Sequence, residues 1–221
     1  MRRGLFVTGT DTGVGKTVVS AALVHRYGPQ ASLRYWKPIQ TGVGEDDDTG
    51  EVRRLTAGAP VEYVDVGIRL PRPVSPHLAA SLAGTSIDLT EVSAPLEGCA
   101  KTEPWIVEGA GGVLVPINRA EMMVDLISRL ELPVLVVARS TLGTINHTLL
   151  TLESLRSRSL TVAGVVMVGE PNGHNRSAIE DYGRVTVVGE MPNIDPLSAD
   201  SVGRWAVESL DRTGRLWGHL E

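Results

Sequence analysis

Aromatic residues are scarce in this 221-residue chain, at 4% of the sequence. A core must therefore be built from Val, Leu, Ile and Ala, a composition typical of buried parallel sheets that helices cover on both faces. The length is most simply that of one domain, residues 1–221, because single cores keep growing to about 250 residues. The sequence thus favours a single-domain α/β fold.

Cysteine, excess positive charge and long apolar runs are also lacking. The single cysteine, Cys99, excludes an internal disulfide. The net charge of -5 argues against a nucleic-acid partner, because proteins that bind a phosphate backbone usually display a basic face. No apolar run approaches the roughly 20 residues that span a bilayer, and no signal peptide is recognisable. We therefore expect a cytoplasmic protein with neither a nucleic-acid nor a membrane partner.

Glycine, by contrast, is frequent, and its most informative cluster is the segment GTDTGVGKT at residues 9–17. It lies between an apolar run that predicts a strand and the helix-like sequence VVSAALVHRYG. In such a phosphate-binding loop, or P loop, glycines turn backbone N–H groups toward an anion, Lys16 adds positive charge and the Thr17 hydroxyl can bind Mg2+. Five residues, rather than the usual four, separate Gly9 from Gly15. The segment predicts a nucleoside triphosphate site of a variant form, in preference to an ordinary glycine turn.

Short apolar, β-branched runs recur along the chain and predict six strands. They lie at residues 4–8, 33–39, 104–108, 133–138, 161–168 and 185–189. Helical patterns separate most of them, the clearest at residues 198–212 with Ser198 as its N-cap. This alternation predicts a mainly parallel sheet, in which ligands bind at the carboxyl ends of the strands.

Polar residues at those ends are the candidates for further chemistry. Lys37 precedes Pro38, which favours an extended backbone there, and Thr41 follows in the segment YWKPIQTG. Glu108 ends the third predicted strand, before Gly-Ala-Gly-Gly, where a ligand can approach the backbone closely. Mg2+ is usually bound by one or two carboxylates with a hydroxyl, phosphate oxygens and waters. Glu108 and Thr17 therefore predict part of a magnesium site.

The second carboxylate of that site is expected from the acidic run Asp46, Asp47 and Asp48. The run opens a helix-like segment, so it is also explained by the favourable interaction of carboxylates with a helix N-terminus, without any metal. Spacing alone leaves the choice among the three open. No His and Cys spacing indicates a metal site, and no Ser/His/Asp set indicates nucleophilic hydrolysis.

Six segments, in this order, resemble the dethiobiotin synthetase family of the biotin pathway: GTDTGVGKT, YWKPIQTG, the acidic run, SPHLAA, IVEGAGG and LGTINHTLLT. The resemblance covers residues 4–168, and its most specific parts are the longer P loop, KPIQTG and LGTINHTLLT. It implies a P-loop NTPase-like α/β domain with a mainly parallel sheet, acting as a homodimer. It also implies a ligase in which 7,8-diaminononanoate takes up CO2 as a carbamate, the carbamate attacks the ATP γ-phosphate, and the second amine closes the ring of dethiobiotin.

The same resemblance implies roles for individual residues. Lys16 and Lys37 are the implied catalytic residues, and the implied Mg2+ ligands are Thr17, Asp48 and Glu108, with Asp46 and Asp47 as alternatives to Asp48. The implied nucleotide-binding residues are Thr12, Gly13, Val14, Gly15, Lys16, Thr17, Val18, Asp48, Glu108, Gly109, Ala110, Gly111, Val168, Gly169, Pro192, Asn193 and Ile194. The implied substrate-binding residues are Thr12, Thr41, Gly111, Leu142, Gly143, Ile145 and Asn146. Residues 142–146 are expected to reach the substrate's carboxylate from the partner subunit, since a helix start near Thr144 offers free N–H groups.

One position departs from the family pattern. Many members have an asparagine at the end of the strand VAGVVMV that reads the adenine edge, whereas this chain has Val168 followed by Gly169. A valine side chain forms no hydrogen bond, so we expect a weaker preference for ATP over other triphosphates such as CTP.

Two other classes of protein are alternatives. The partitioning and septum-positioning ATPases share the expected fold and act as switches, but their loop usually has an extra lysine near its start, where this chain has Gly9, Thr10 and Asp11. Amidoligases related to cobyrinate diamide synthases use a glutaminase domain with a nucleophilic cysteine, for which 221 residues and Cys99 leave no room. Both observations favour the synthetase family.

Overall fold

Strands and helices largely alternate along the chain. The computed structural model describes residues 2–44, 47–99 and 102–221. Its strands are β1 (Gly4–Gly9), β2 (Leu33–Trp36), β3 (Ile39–Thr41), β4 (Val61–Val64), β5 (Ile68–Leu70), β6 (Trp105–Gly112), β7 (Val134–Arg139), β8 (Val162–Val168) and β9 (Val187–Met191). Its α-helices are α1 (Lys16–Tyr27), α2 (Asp48–Leu55), α3 (Pro76–Leu82), α4 (Leu89–Glu97), α5 (Met123–Leu130), α6 (Thr144–Arg156), α7 (Gly173–Gly183) and α8 (Ala199–Ser209), with a 3-10 turn at Trp217–His219.

Seven strands form the central sheet, in the order β4-β2-β6-β1-β7-β8-β9. Every neighbouring pair is parallel, so all the carboxyl ends lie at one edge. The central strand is β1, in which Val7 pairs with Glu108 on one side and Leu135 on the other. The predicted α/β fold is confirmed, and the P loop leaves the sheet from its middle.

Helices cover both faces of this sheet. Along β1, Phe6 packs into an apolar cluster that includes Leu126 of α5 and Leu152 of α6. The neighbouring Leu5 packs into a second cluster, on the other face, with side chains of α1 and α8. Alternate strand residues point to opposite faces, so near-continuous Val, Ile and Leu runs fill two cores at once.

The second predicted strand, residues 33–39, is two strands in the structure. β2 ends at Trp36, and β3 pairs with β5 in a separate two-stranded sheet. Pro38 has no N–H to donate to a ladder, and its carbonyl accepts the N–H of Ile68 at 2.8 Å, so the chain leaves the main sheet at this point. The strands β4 and β5 are short and mostly half-exposed, and no sequence pattern predicted them.

The third predicted strand is longer than expected. β6 continues to Gly112, which pairs with Gly9 of β1, so Glu108 lies inside the strand rather than at its end. A Cβ at Gly109 would lie 2.8 Å from Cε1 of Phe6, so this glycine allows the strand to pack against that ring.

The predicted helix at residues 198–212 is confirmed as α8, although it ends earlier, at Ser209. Its N-cap is Ser198, whose side chain accepts the N–H of Ser201 at 3.2 Å. The helix stops because Leu210 is extended and Asp211 adopts a φ of 47°. None of the helices in the described ranges combines the length and apolar character that crossing a bilayer requires.

Candidate nucleotide and metal site

The P loop joins β1 to α1 through two left-handed glycines. Gly13 and Gly15 have φ values of 68° and 98°, which L side chains rarely adopt. Within the described chain, no side chain caps α1 and no acidic residue occupies its first turn. The first N–H groups of α1 are therefore available to an anion, and the helix dipole favours negative charge there.

The additional length of this loop is held in place by three contacts. Asp11 Oδ1 accepts the N–H of Thr12 at 2.7 Å, and Lys16 Nζ donates to the carbonyl of Asp11 at 3.1 Å. Arg139, at the end of β7, donates from Nη2 to the carbonyl of Thr12 at 2.9 Å. Sequence reasoning did not identify Arg139, because only the fold brings β7 beside this loop.

Three oxygen-bearing side chains meet beside the loop. The hydroxyl of Thr17 lies 2.9 Å from Asp48 Oδ1 and 3.0 Å from Glu108 Oε1. They come from three elements: the first turn of α1, the first residue of α2 and the interior of β6. One hydroxyl and two carboxylates are the hard oxygen donors that Mg2+ prefers, so these residues fit that ion.

The other acidic residues of the run do not share this position. Asp47 accepts a hydrogen bond from Gln40 Nε2 at 3.1 Å, and Asp46 lies outside the described residues. Over the described ranges, no group of three or more His, Cys, Asp and Glu side chains is arranged to hold a metal. The donor set therefore suits an ion that also takes phosphate oxygens and waters.

Lys37 contacts both of these carboxylates. Its Nζ lies 2.6 Å from Asp48 Oδ2 and 2.8 Å from Glu108 Oε1, and its side chain is 2% exposed. Burial favours a lower pKa for Lys37, but the charges of Glu108 and Asp48 outweigh it and raise the pKa. Burial likewise favours a higher pKa for Asp48, but Lys37 and the Thr17 hydroxyl lower it. Both groups are thus charged at neutral pH.

Lys16 lies in the same cleft, but its pKa is shifted in the opposite direction from that of Lys37. Burial, and next the charge of Lys37, lower the pKa of Lys16. A polyphosphate would supply negative charge to both ammonium groups, and opposite charge favours the protonated form. The pair of buried lysines therefore favours an anionic ligand between them.

Tyr35, in β2, supports Glu108 from the interior of the protein. Its hydroxyl donates to Glu108 Oε2 at 3.0 Å, and burial, followed by the charge of Glu108, raises the pKa of Tyr35 well above its ordinary value. Sequence reasoning missed this residue. The available signal was its position two residues before Lys37, since such residues share a face of an extended chain.

These groups line a cleft of about 580 Å3. Of the predicted site residues, it brings together Thr12, Gly13, Gly15, Lys16, Thr17, Val18, Lys37, Thr41, Asp48, Glu108, Ala110 and Gly111. A second cavity of about 420 Å3 lies next to this cleft and reaches His147 and Leu150 of α6. Thr12 and Val115 line both the cleft and the second cavity.

The remaining predicted residues lie outside the lining of this cleft. Val14 is buried beneath the loop and Gly109 packs against Phe6. Val168, followed by Gly169, ends β8 next to the P loop. Its Cγ1 atom lies 3.1 Å from the position that a Cβ of Gly15 would occupy. Pro192, Asn193 and Ile194 follow β9. Leu142 and Gly143 immediately precede α6, and Ile145 and Asn146 lie in its first turn.

Comparison with known proteins identifies the family of this chain. A family model described as an AAA domain matches residues 3–201. The ATP-dependent dethiobiotin synthetase BioD of Paramagnetospirillum magneticum is 48% identical over 200 residues, covering 90% of this chain and 93% of that protein. The BioD of Brucella ovis is 44% identical over 202 residues, with 91% and 92% covered. The chain belongs to the ATP-dependent dethiobiotin synthetase family.

One relative of this family is larger. The biotin biosynthesis bifunctional protein BioCD of Bordetella avium is 48% identical over 205 residues, which are 92% of this chain but 42% of that protein. The chain therefore spans less than half of BioCD and nearly all of the BioD proteins.

Solved structures extend the likeness of the fold beyond the dethiobiotin synthetase family. Apo McdA of Cyanthece superposes with a TM-score of 0.61 at 12% identity, with 99% of each chain covered. The septum site-determining protein MinD of Pyrococcus horikoshii OT3, complexed with Mg-ADP, gives 0.59 at 14% identity, with 93% and 95% covered. At such identities only the P-loop fold is shared.

Proposed function

We propose that this chain catalyses the ATP- and Mg2+-dependent carboxylation and ring closure of 7,8-diaminononanoate with CO2, giving dethiobiotin, ADP and phosphate. The observation that carries the proposal is the convergence of Lys16 and Lys37 with the Thr17, Asp48 and Glu108 oxygens in one cleft. Membership of the synthetase family, at 44–48% identity to named members, supports it. In this proposal residues 1–221 act as one P-loop ligase domain.

ATP, or another nucleoside triphosphate, would lie with its phosphates against the P loop. The left-handed Gly13 and Gly15 and the uncapped start of α1 support this placement, because they leave N–H groups free for phosphate oxygens. The base would extend toward Val168 and Gly169, beside the loop, and toward residues 192–194 after β9. Val168 offers the base an apolar contact and no hydrogen bond.

Thr17, Asp48 and Glu108 would hold Mg2+. When bound, the ion would neutralise charge that develops on the phosphate oxygens during transfer. The carboxylate oxygens of Asp48 and Glu108, which lie 2.9 and 3.0 Å from the Thr17 hydroxyl, support this assignment.

The two lysines would then orient the reacting groups. A carbamate oxygen is already nucleophilic, so the first step needs positioning and charge neutralisation more than a general base. The oxygen bonds to the γ-phosphorus as the bond to the β–γ bridging oxygen breaks, and ADP leaves. The second amine attacks the carbamoyl carbon, the bond to the phosphate oxygen breaks, and the ring closes. Lys37, kept protonated by its carboxylate neighbours, is suited to hold the anionic carbamate and γ-phosphate together.

The diamine would lie near Thr12, Thr41 and Gly111, with its carboxylate reaching the start of α6 in a partner subunit. Gly143 is the N-cap of α6 and has a φ of 93°, and the first turn of α6 contains no acidic residue. The exposed side chains of Leu114 and Leu150, which border one cavity, and the exposed Leu142 just before α6 support a protein partner, since exposed apolar side chains favour association. We infer that a second copy of the chain covers them.

The test is to incubate the protein with diaminononanoate, bicarbonate, Mg2+ and ATP. We expect dethiobiotin by mass spectrometry, and ADP release that depends on the diamine. Lys16→Met is the negative control, because it removes the P-loop charge. ATP hydrolysis that ignores the diamine would contradict the proposal and favour a nucleotide switch.

A further inference from the structure

The two oxygens of the Glu108 carboxylate face different surroundings. Oε1 lies 3.0 Å from the Thr17 hydroxyl and 2.8 Å from Lys37 Nζ, on the side of the cleft. Oε2 accepts the Tyr35 hydroxyl at 3.0 Å, on the side of the core. Both Glu108 and Tyr35 are fully buried. One oxygen is thus presented to the cleft while the other is held away from it.

The sheet fixes this arrangement. Tyr35 of β2 pairs with Ile106 of β6, and Glu108 is two residues further along, so the Tyr35 and Glu108 side chains lie on the same face. The Tyr35 ring is packed in the apolar cluster beneath α1. It lies edge-on to the Tyr63 ring, with the two ring centroids 6.3 Å apart. Since the ring is enclosed, its hydroxyl is directed at Glu108 and cannot turn to solvent.

This geometry limits how Glu108 can bind a cation. Turning the carboxylate to place both oxygens on one ion would draw Oε2 away from the Tyr35 hydroxyl and weaken this buried hydrogen bond, which is unfavourable. Mg2+ requires near-octahedral geometry and takes single carboxylate oxygens, whereas Ca2+ is larger and accepts bidentate carboxylates in flexible arrangements. A carboxylate restricted to one oxygen therefore suits Mg2+ better than Ca2+.

We propose that Tyr35 is a positioning residue that restricts Glu108 to one-oxygen coordination and so makes the site discriminate Mg2+ from Ca2+. The inference rests on the proposed metal site of Thr17, Asp48 and Glu108. It adds a source of ion specificity that lies outside the cleft and touches neither substrate nor metal.

The test compares Tyr35→Phe with the unchanged protein. Each protein is saturated with ADP, and the affinities of Mg2+ and Ca2+ are measured by their displacement of Mn2+, followed by electron paramagnetic resonance. We expect Mg2+ affinity to fall about tenfold in Tyr35→Phe, as for other partners of metal ligands. We expect Ca2+ affinity to stay the same or rise, so that the Mg2+/Ca2+ preference falls about tenfold or more.

Tyr63→Phe is the matched control. It removes a phenol hydroxyl from the neighbouring strand β4, where the partner is the Thr56 hydroxyl and not Glu108. Both affinities should remain those of the unchanged protein. A second variant, Tyr35→Leu, also lacks the hydroxyl and must shift the preference in the same direction as Tyr35→Phe.

Three results would overturn the proposal: an unchanged Mg2+/Ca2+ preference in Tyr35→Phe, equal weakening of both ions, or a shift in Tyr35→Leu alone, which would indicate packing rather than the hydroxyl. Failure of the proposed function gives a different result, because a protein that makes no dethiobiotin can still show the shift in ion preference. Absence of any divalent ion from the ADP complex of the unchanged protein would refute the metal site, and this inference with it.

Discussion

Lys37 Nζ lies 2.8 Å from Glu108 Oε1, the same oxygen that the Thr17 hydroxyl approaches at 3.0 Å. In the proposed function that oxygen also binds Mg2+, so the ammonium group and the metal ion compete for it. In that function Lys37 would have two connected roles, as the internal counter-ion of the carboxylates and as the cation that meets the carbamate.

Replacing Lys37 by methionine should remove ring formation and strengthen metal binding. We expect kcat to fall at least about a hundredfold, because a charge-stabilising donor is lost. The affinity of Mn2+ in the ADP complex should rise, because the two carboxylates lose their competing cation. The same variant should be less stable by about 3 kcal/mol, since it leaves the buried Glu108 carboxylate without its cation. Urea unfolding and Mn2+ titration measure these effects, and weaker Mn2+ binding would contradict the competition.

The Lys37–Asp48 pair should make stability depend on pH in a defined way. The pKa of Asp48 is lowered from its ordinary value of 3.8, so the stability that Asp48 contributes is complete above pH 3.8 and is lost as the pH falls through the folded pKa. The pKa of Lys37 is raised from 10.5, so its contribution is complete below pH 10.5 and is lost as the pH rises through the folded pKa.

An Asp48→Asn variant isolates the acid side of this dependence. The difference in free energy of unfolding between the unchanged protein and Asp48→Asn should be constant near neutral pH and should shrink below pH 3.8. Chemical denaturation at a series of pH values measures it. A difference that grows on acidification would show that Asp48 is not stabilised by Lys37.

The base preference should respond to position 168. We expect the unchanged protein to use CTP at a rate comparable to ATP, because the Val168 side chain forms no hydrogen bond that would distinguish the edges of the two bases. Val168→Asn should raise the preference for ATP by roughly tenfold, the effect of about one net hydrogen bond. The measurement is kcat/KM for both nucleotides in both proteins. A strong ATP preference in the unchanged protein would sink this prediction.

A charge at Leu142 should separate the subunits. Its side chain is fully exposed, so Leu142→Asp should leave the folded chain intact. We expect the apparent mass in light scattering to halve. We also expect KM for the diamine to rise about tenfold or more, because a separated subunit loses the partner's hydrogen bonds to the substrate carboxylate, and hydrogen bonds to a charged group contribute about 1.5–3 kcal/mol each. Val207→Asp, at an exposed apolar residue of α8, is the control and should change neither quantity. An unchanged mass for Leu142→Asp would place the subunit interface elsewhere.

Features with a local physical cause could be predicted from the sequence. The P loop is one, because left-handed glycines, a lysine and a hydroxyl residue must follow a strand and open a helix. The parallel sheet is another, because strands buried on both faces read as continuous apolar runs. Glu108 was predicted as a site residue, although its place inside β6 was not, because Gly109, which packs against Phe6, looks like a loop glycine in sequence.

Features created by the tertiary fold could not be predicted in this way. Three consecutive carboxylates have the same composition wherever α2 begins, so spacing left the choice among them open, and only the family resemblance implied Asp48. The contacts of Tyr35 with Glu108 and of Arg139 with Thr12 join residues 73 and 127 positions apart. No pattern within a single segment contains that information.

The position of Glu108 inside β6 divides the proposed metal site into a rigid part and an adjustable part. Glu108 is in register with Val7 of β1, and the preceding Val107 is in register with Trp36 of β2, so strands on both sides hold this part of the backbone. Asp48, in contrast, is carried by a short helix, and 26% of its side chain is exposed. Adjustment to an ion of a different radius must therefore come from movement of α2, while the sheet keeps the opposite ligand at a constant distance from the nucleotide loop.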